Sequence, residues 1–171
     1  MANSVNSRKV VAKPSRITPA APHEAWDSPG FLLWHATLRW QREAAAVLKP
    51  LGLTHAQFVL LGSLWWLADH GGAPSQRELA DHAGTDVMMT SQVVRALGDR
   101  GLLHRVADEA DARVWRLVPT PAGRDLAKRS VAAMVELDEA FFAAAGDRSR
   151  VLGLLRRLAR RDARGHRVPT E

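Results

Sequence analysis

Met88, Ser91, Gln92 and Arg95 stand at i, i+3, i+4 and i+7, one face of a helix, with Thr90 beside them. These side chains match the edges of nucleic-acid bases. Arginine pairs with guanine, glutamine with adenine, serine with either, and a methionine side chain can lie on a thymine methyl. The alternative is a helix face that these residues merely solvate. A second group follows, in which Arg105, Arg113 and Arg116 flank Asp108, Glu109 and Asp111. An arginine on a hairpin can enter the narrow minor groove of a duplex, where the negative potential is strongest. A nearby carboxylate such as Asp111 can hold that guanidinium in a fixed direction. The alternative is a surface ion pair of small energy, and the acidic tip itself would repel phosphate.

These residues need a scaffold, and the local patterns supply one. Ser28-Pro29 reads as an N-cap with proline at the first helical position, and Pro50 ends the helix that follows. That helix has two apolar faces, Phe31, Trp34, Leu38, Ala45 and Leu48 on one, Leu33, Ala36, Trp40, Ala44 and Val47 on the other. A helix apolar on two sides is buried on two sides, which points to a subunit interface. Thr54 and Gln57 predict a capping box, with Leu53 stapled to Phe58, and Gly71-Gly72 stop that helix. Ser75 and Glu78 predict a second capping box, opening a short helix over 75–83 that Gly84 ends. Thr85-Asp86 cap a helix over 87–100, stopped by Gly101, with Met89, Val93, Ala96 and Leu97 as its core stripe.

The period then changes from helical to alternating. Strands are expected over 102–106 and 113–118, joined by a polar turn over 108–112, with Trp115 and Leu117 on one side of the second strand. Thr120-Pro121 opens a long helix with Leu126, Met134, Leu137 and Phe141 near one stripe, and Gly146 ends it. Asp147 caps a final helix with the stripe Val151, Leu154, Leu155 and Leu158. The expected fold class is mainly α with a small β-hairpin wing. The short helix and the helix after it form a helix-turn-helix, a unit that lays its second helix in the DNA major groove.

The chain has 171 residues, of which 46% are hydrophobic and 25% charged, as in a globular domain rather than a disordered or fibrous chain. Lys plus Arg number 24 against 18 Asp plus Glu, a net charge of +6 that suits a nucleic-acid partner. The absence of cysteine excludes disulfides, thiolate metal sites and thiol redox switches, and fits a cytoplasmic address. Residues 1–27 read as a disordered basic leader, with Arg8, Lys9, Lys13 and Arg16 among Pro14, Pro19 and Pro22, or as an arm for phosphates. Residues 161–171 read as a frayed basic tail. No apolar h-region follows the first cations. The densest apolar run, 58–68, is too short for the about 20 residues a membrane span needs.

From residue 28 to 158 the chain resembles the MarR family of bacterial transcription regulators. The resemblance rests on Leu53-Thr54-His55-Ala56-Gln57-Phe58, Ser75-Gln76-Arg77-Glu78-Leu79-Ala80, Thr90-Ser91-Gln92-Val93-Val94-Arg95-Ala96-Leu97, Gly101-Leu102, the stretch 108–113, and Thr120-Pro121-Ala122-Gly123. It implies a winged helix-turn-helix in a single domain over 28–160. The DNA-binding lobe would cover 54–120, and helices over 28–49 and 121–160 would interlock in a homodimer. Two recognition helices would then read a pseudo-palindromic operator with half-sites roughly 10 bp apart. The resemblance places the wing arginine on Arg113 and its partner on Asp111. It places the recognition-helix contacts near Thr90, Ser91, Gln92 and Arg95, and phosphate contacts on Ser75, Gln76 and Arg77. Gln92 stands where many members carry a basic residue, and Pro119 replaces the usual leucine before Thr120. Without cysteine, the thiol-based peroxide-sensing branch is excluded.

The resemblance further implies a repressor released by a small aromatic or phenolic effector. Trp34, His35 and Trp65 lie on helices that would wall an effector pocket, although tryptophans at helical spacing are more often core. Trp66 shares that position. The histidines, 23, 35, 55, 70, 82, 104 and 166, show no metal-ligand spacing, so no metal or cofactor is expected. The nucleophile-elbow, phosphate-loop and dinucleotide patterns of enzymes are missing. Two other readings remain open. One is a winged-helix module for protein contact, favoured by the acidic wing tip. The other is a small-molecule binding protein or enzyme that uses the aromatic interior.

Overall fold

The computed structural model describes residues 26–111 and 113–159. The expected leader up to residue 25 and the tail from residue 160 lie outside the described residues. The described residues fall into two compact units, divided between Thr37 and Leu38. In the first, the Ser28 hydroxyl accepts the Phe31 N–H at 3.3 Å as α1 (Pro29–Leu48) begins. Phe31 stacks between Trp26, edge-on with centroids 5.1 Å apart, and His35, tilted at 4.3 Å. Leu32, Leu33 and Trp34 are exposed.

In the second unit α1 runs out into a 3-10 turn, Lys49–Leu51, and then α2 (His55–His70), α3 (Gln76–Ala83) and α4 (Val87–Asp99) follow. A hairpin, β1 (Leu103–Ala107) and β2 (Trp115–Pro119), leads into α5 (Pro121–Phe142), a 3-10 turn Ala143–Ala145, and α6 (Arg148–Ala159). Both predicted capping boxes form: Thr54 with Gln57, and Ser75 with Glu78, each satisfying two end donors of its helix. Leu48, Leu60, Leu61, Leu64, Leu79, Leu97 and Leu117 are fully buried in one core shared by α1, α2, α3, α4 and the hairpin. Each such leucine contributes about 2 kcal/mol through its removal from water. Trp66 of α2 stacks face to face on His70 at 4.6 Å and on His82 of α3 at 5.0 Å, which joins the two helices. Among the described residues no single helix is long and apolar enough to cross a membrane.

Four sequence expectations shift. The core stripe of α4 is Thr90, Val94 and Leu97, with Met89, Val93 and Ala96 only half-buried. The helix is turned by about one residue, or 100°, because the Thr90 hydroxyl finds partners inside. It donates to the Asp86 carbonyl at 2.8 Å and shares a hydrogen bond with the Thr85 hydroxyl at 2.7 Å. The strands begin later than expected, at 103 and 115, because the Leu102 N–H still caps α4 on the Leu97 carbonyl and the wing loop retains Arg113 and Val114. Burial in α1 is confined to its later part, where Ala44 and Leu48 are fully covered. The α6 stripe is largely uncovered, with Leu154 49% and Leu158 63% exposed.

Candidate nucleic-acid interface

Gly84 closes the turn between α3 and α4. It adopts the left-handed conformation, φ +70°, that side-chain-bearing residues avoid. The chain can therefore reverse in three residues, and the Thr85 N–H returns to the Ala80 carbonyl at 3.0 Å. Asp86 then opens α4 by accepting the Met89 N–H at 2.8 Å. The result presents Met88, 74% exposed, with Gln92 and Arg95 exposed and Ser91 half-buried. Arg95 makes no ion pair among the described residues. Thr90 is a correction. It is wholly buried with its hydroxyl engaged, so it fixes the turn and cannot reach a base edge in this arrangement.

The wing pairs β1 and β2 antiparallel, Leu103 opposite Pro119 through Ala107 opposite Trp115. Arg113 is 94% exposed at its tip. Its Nε lies 3.5 Å from the Asp111 carboxylate, and its backbone N–H donates to the same group at 3.0 Å. The two residues that the resemblance pairs on the wing thus lie side by side. Arg105, on β1, leans toward α3, where its guanidinium donates to the Gln76 side chain at 3.4 Å. Ser75 is occupied by its own capping box, and Arg77 is exposed. Between α4 and β1 lies an open groove of about 320 Å³, lined by Arg95, Asp99, His104 and Arg105 among others. His104 was not among the residues singled out for this face.

Arg116 behaves differently from the other wing arginines. Its Nε donates to Asp108 and its Nη1 donates to Glu78 at 2.8 Å. Both carboxyls are held below the usual carboxylate range. For Asp108 the chief cause is the Arg116 hydrogen bond. For Glu78 it is the Ser75 backbone N–H. The Leu117 N–H donates to the Pro74 carbonyl at 2.8 Å, so β2 also pairs with the residues that lead into α3. The sequence carried no signal for that pairing. For the ion pairs, the signal was a capping glutamate and an arginine on the opposite side of β2 from Leu117.

Among the expected effector residues, Trp34 and His35 lie in the first unit, where Trp34 is exposed and His35 meets Phe31. Trp65 lies in the second. Its buried indole N–H makes no hydrogen bond of normal geometry, although Asp69 is close enough for the indole to help lower that carboxyl. Asp69 itself is tied to Arg124 at the start of α5, and this bond is the main cause of its lowered pKa. Among the described residues no group of His, Asp or Glu could hold a metal ion.

Comparison with known proteins gives this geometry a family. Residues 53–115, from just before the second helix to the first residue of the wing's second strand, match the model of the MarR family. The chain is 38% identical over 135 residues to the HTH-type transcriptional regulator YdcH of Bacillus subtilis, covering 79% of this chain and 92% of that protein. BpsR of Bordetella bronchiseptica, whose DNA binding is regulated by 6-hydroxynicotinic acid, superposes with a TM-score of 0.71 at 28% identity, over 85% of this chain and 100% of BpsR. The repressor CouR of Rhodococcus jostii, bound to a 23-mer DNA duplex, gives 0.68 at 27% identity over 83% of this chain and 97% of CouR. With its helix-turn-helix, its wing and these relatives, the chain belongs to the MarR family of transcriptional regulators.

Proposed function

We propose that the protein is a cytoplasmic, homodimeric repressor that reads a pseudo-palindromic duplex, rather than an enzyme. The observation that carries this reading is the outer face of α4. Met88, Gln92 and Arg95 are exposed there on a helix whose opposite side is locked into the core. Base edges in a major groove supply the donors, acceptors and methyl groups that this set complements. Arg113, projecting from the wing and steered by Asp111, enters the neighbouring minor groove. Arg77 and Arg105 meet phosphates, and Ser75 and Gln76 set the start of α3 against the backbone. Asp111 acts on DNA only through Arg113.

The lobe over 54–120 does the reading, and the helices over 28–49 and 121–160 hold two copies together. Apolar side chains left uncovered on these helices support the second copy: Leu33 and Trp34 on α1, Val135 on α5, Leu154 and Leu158 on α6. A groove of about 350 Å³ between α5 and α6, lined by Val135, Phe142, Val151, Leu152 and Leu155, supports it too. A small aromatic acid is the effector class. It releases DNA by favouring a separation of recognition helices that no longer fits one turn of the duplex.

The test is a fluorescence-anisotropy titration against duplex DNA from just upstream of the protein's own gene, with a scrambled duplex of equal length as control. Strong preference for the native duplex, falling steeply with salt, is the expected result. Equal weak binding to both, repeated with duplexes selected from a random library, would overturn the reading. The protein-contact alternative loses most of its motive, since two of the three acidic residues of the wing loop, Asp108 and Asp111, are already paired with Arg116 and Arg113.

A further inference from the structure

The wing carries three arginines, and only one of them is tied down at both ends. Arg116 bridges Asp108, at the base of the wing loop, and Glu78, in the first turn of α3. Each carboxylate also holds backbone. The other oxygen of Asp108 accepts the N–H groups of Ala110 at 2.8 Å and Asp111 at 3.1 Å. The Glu78 oxygen that receives Arg116 also accepts the Ser75 N–H at 2.6 Å. The bonds form one continuous path, Ser75–Glu78–Arg116–Asp108–Asp111, and Asp111 in turn orients Arg113. The path joins the start of the helix-turn-helix to the tip of the wing. The Arg113–Asp111 pair is far too exposed to hold a direction unaided. Asp108, by contrast, has a side chain only 16% exposed and Arg116 one 31% exposed, where charged hydrogen bonds are less screened.

We infer that Arg116, with Asp108 and Glu78, is a positioning group for DNA recognition: it touches no DNA and fixes the angle at which the wing presents Arg113 relative to α3. Its charge is already met by two carboxylates, so it is not a phosphate ligand. The inference rests on the DNA-binding reading above for its consequence, though not for the brace itself.

The chain has no cysteine, so one introduced by Ala110→Cys takes a single nitroxide label on the exposed wing loop. In the full-length protein the label's motion is expected to be restricted. It becomes freer with Arg116→Gln, and less so with Asp108→Asn, which removes only one of the two ion pairs. An unchanged spectrum in both variants overturns the brace. Affinity is then measured for a duplex that the wild-type protein selects from a random library. Arg116→Gln is expected to weaken binding about tenfold with the salt slope unchanged, and to cost almost nothing once Arg113→Ala is present. A reduced salt slope, with losses that add fully to those of Arg113→Ala, would make Arg116 a phosphate ligand and overturn the inference. Thermal unfolding controls for the fold. If Arg116→Gln does not fold, the near-isosteric Asp108→Asn carries both measurements. Should the wild type select no duplex at all, the DNA-binding reading fails, and the label alone decides the brace.

Discussion

Recognition helix and wing both offer arginine to solvent, by opposite means. On α4 the scaffold lies on the inner side: Thr90, Val94 and Leu97 are buried, and among the described residues the outer side chains of Gln92 and Arg95 make no internal bond. On the wing the arginines are held by side chains of the wing loop and of α3. Arg116 is bound by Asp108 and Glu78, Arg105 by Gln76, and Arg113 by Asp111. A helix obtains rigidity from its backbone ladder and can spare its outer side chains. A two-stranded ribbon is marginal alone and must recruit side chains to stay in place.

The largest effect should erase the contrast by disturbing both regions. Gly123, in the first turn of α5, is buried, and a Cβ there would stand 1.9 Å from the Leu102 carbonyl oxygen. Leu102 joins α4 to β1, and its carbonyl also accepts the Thr120 N–H. The obstacle is backbone, so Gly123→Ala is expected to cost about 3 kcal/mol or more, seen as a large fall in Tm and loss of soluble protein. A Tm within a few degrees of wild type would mean that this junction yields easily.

The next changes separate the two regions. Arg113→Ala should weaken binding to every duplex by roughly ten- to a hundredfold and lower the salt slope by about one, with Tm unchanged. Gln92→Ala should leave binding to random duplex alone and lower discrimination at one base pair per half-site by about tenfold. Anisotropy titrations at several salt concentrations, against a panel of single-base variants, measure both. If the two substitutions give the same profile, helix and wing do not divide the work as proposed.

Thr90→Val tests a smaller matter. It removes the bonds to Asp86 and Thr85 and should cost about 1–2 kcal/mol in urea unfolding, with the base preference intact. A changed preference at unchanged stability would return Thr90 to the surface. The least effect is that of pH. Asp108 and Glu78 have folded pKa values below their ordinary ones, so the stability they contribute is present above the usual carboxylate range and lost as pH falls through the folded values. A label on the wing loop should be unaffected between pH 7 and about 5 and gain mobility only below about pH 4.

How much of this could be read from the chain follows the range of the interactions. Capping boxes, glycine stops and the hairpin are local, and Thr54, Ser75, Gly84 and Thr120 announced them. Asp111 and Arg113, two residues apart, were equally legible. Thr90 misled because its type is polar. A polar side chain inside a helix pair is distinguishable from one outside only when its partners are known, and Asp86 offers a backbone carbonyl that no pattern displays. Glu78 and Arg116 are separated by 38 residues, and each had a sufficient local explanation, a cap for one and a surface cation for the other. The Trp40 indole donating to Asp138 at 2.7 Å, which fixes α1 to α5, is longer in range still. Apolar periodicity predicted a first helix from Ser28-Pro29 to about Lys49 and a final helix after Asp147, but part of each stripe is uncovered in the single chain, since periodicity states that a face is to be buried and not by what.

The unbonded outer face of α4 has a consequence for descent. Among the described residues Met88, Gln92 and Arg95 support no other part of the structure, so on the proposed reading exchanging them alters what the protein reads without altering whether it folds. Duplicated copies of such a gene can drift to new target sites in single steps, each passing through a stable intermediate. The wing offers no such freedom: a change at Asp108, Glu78 or Arg116 must be answered by another, so its variation should come in correlated sets while that of the helix comes one residue at a time.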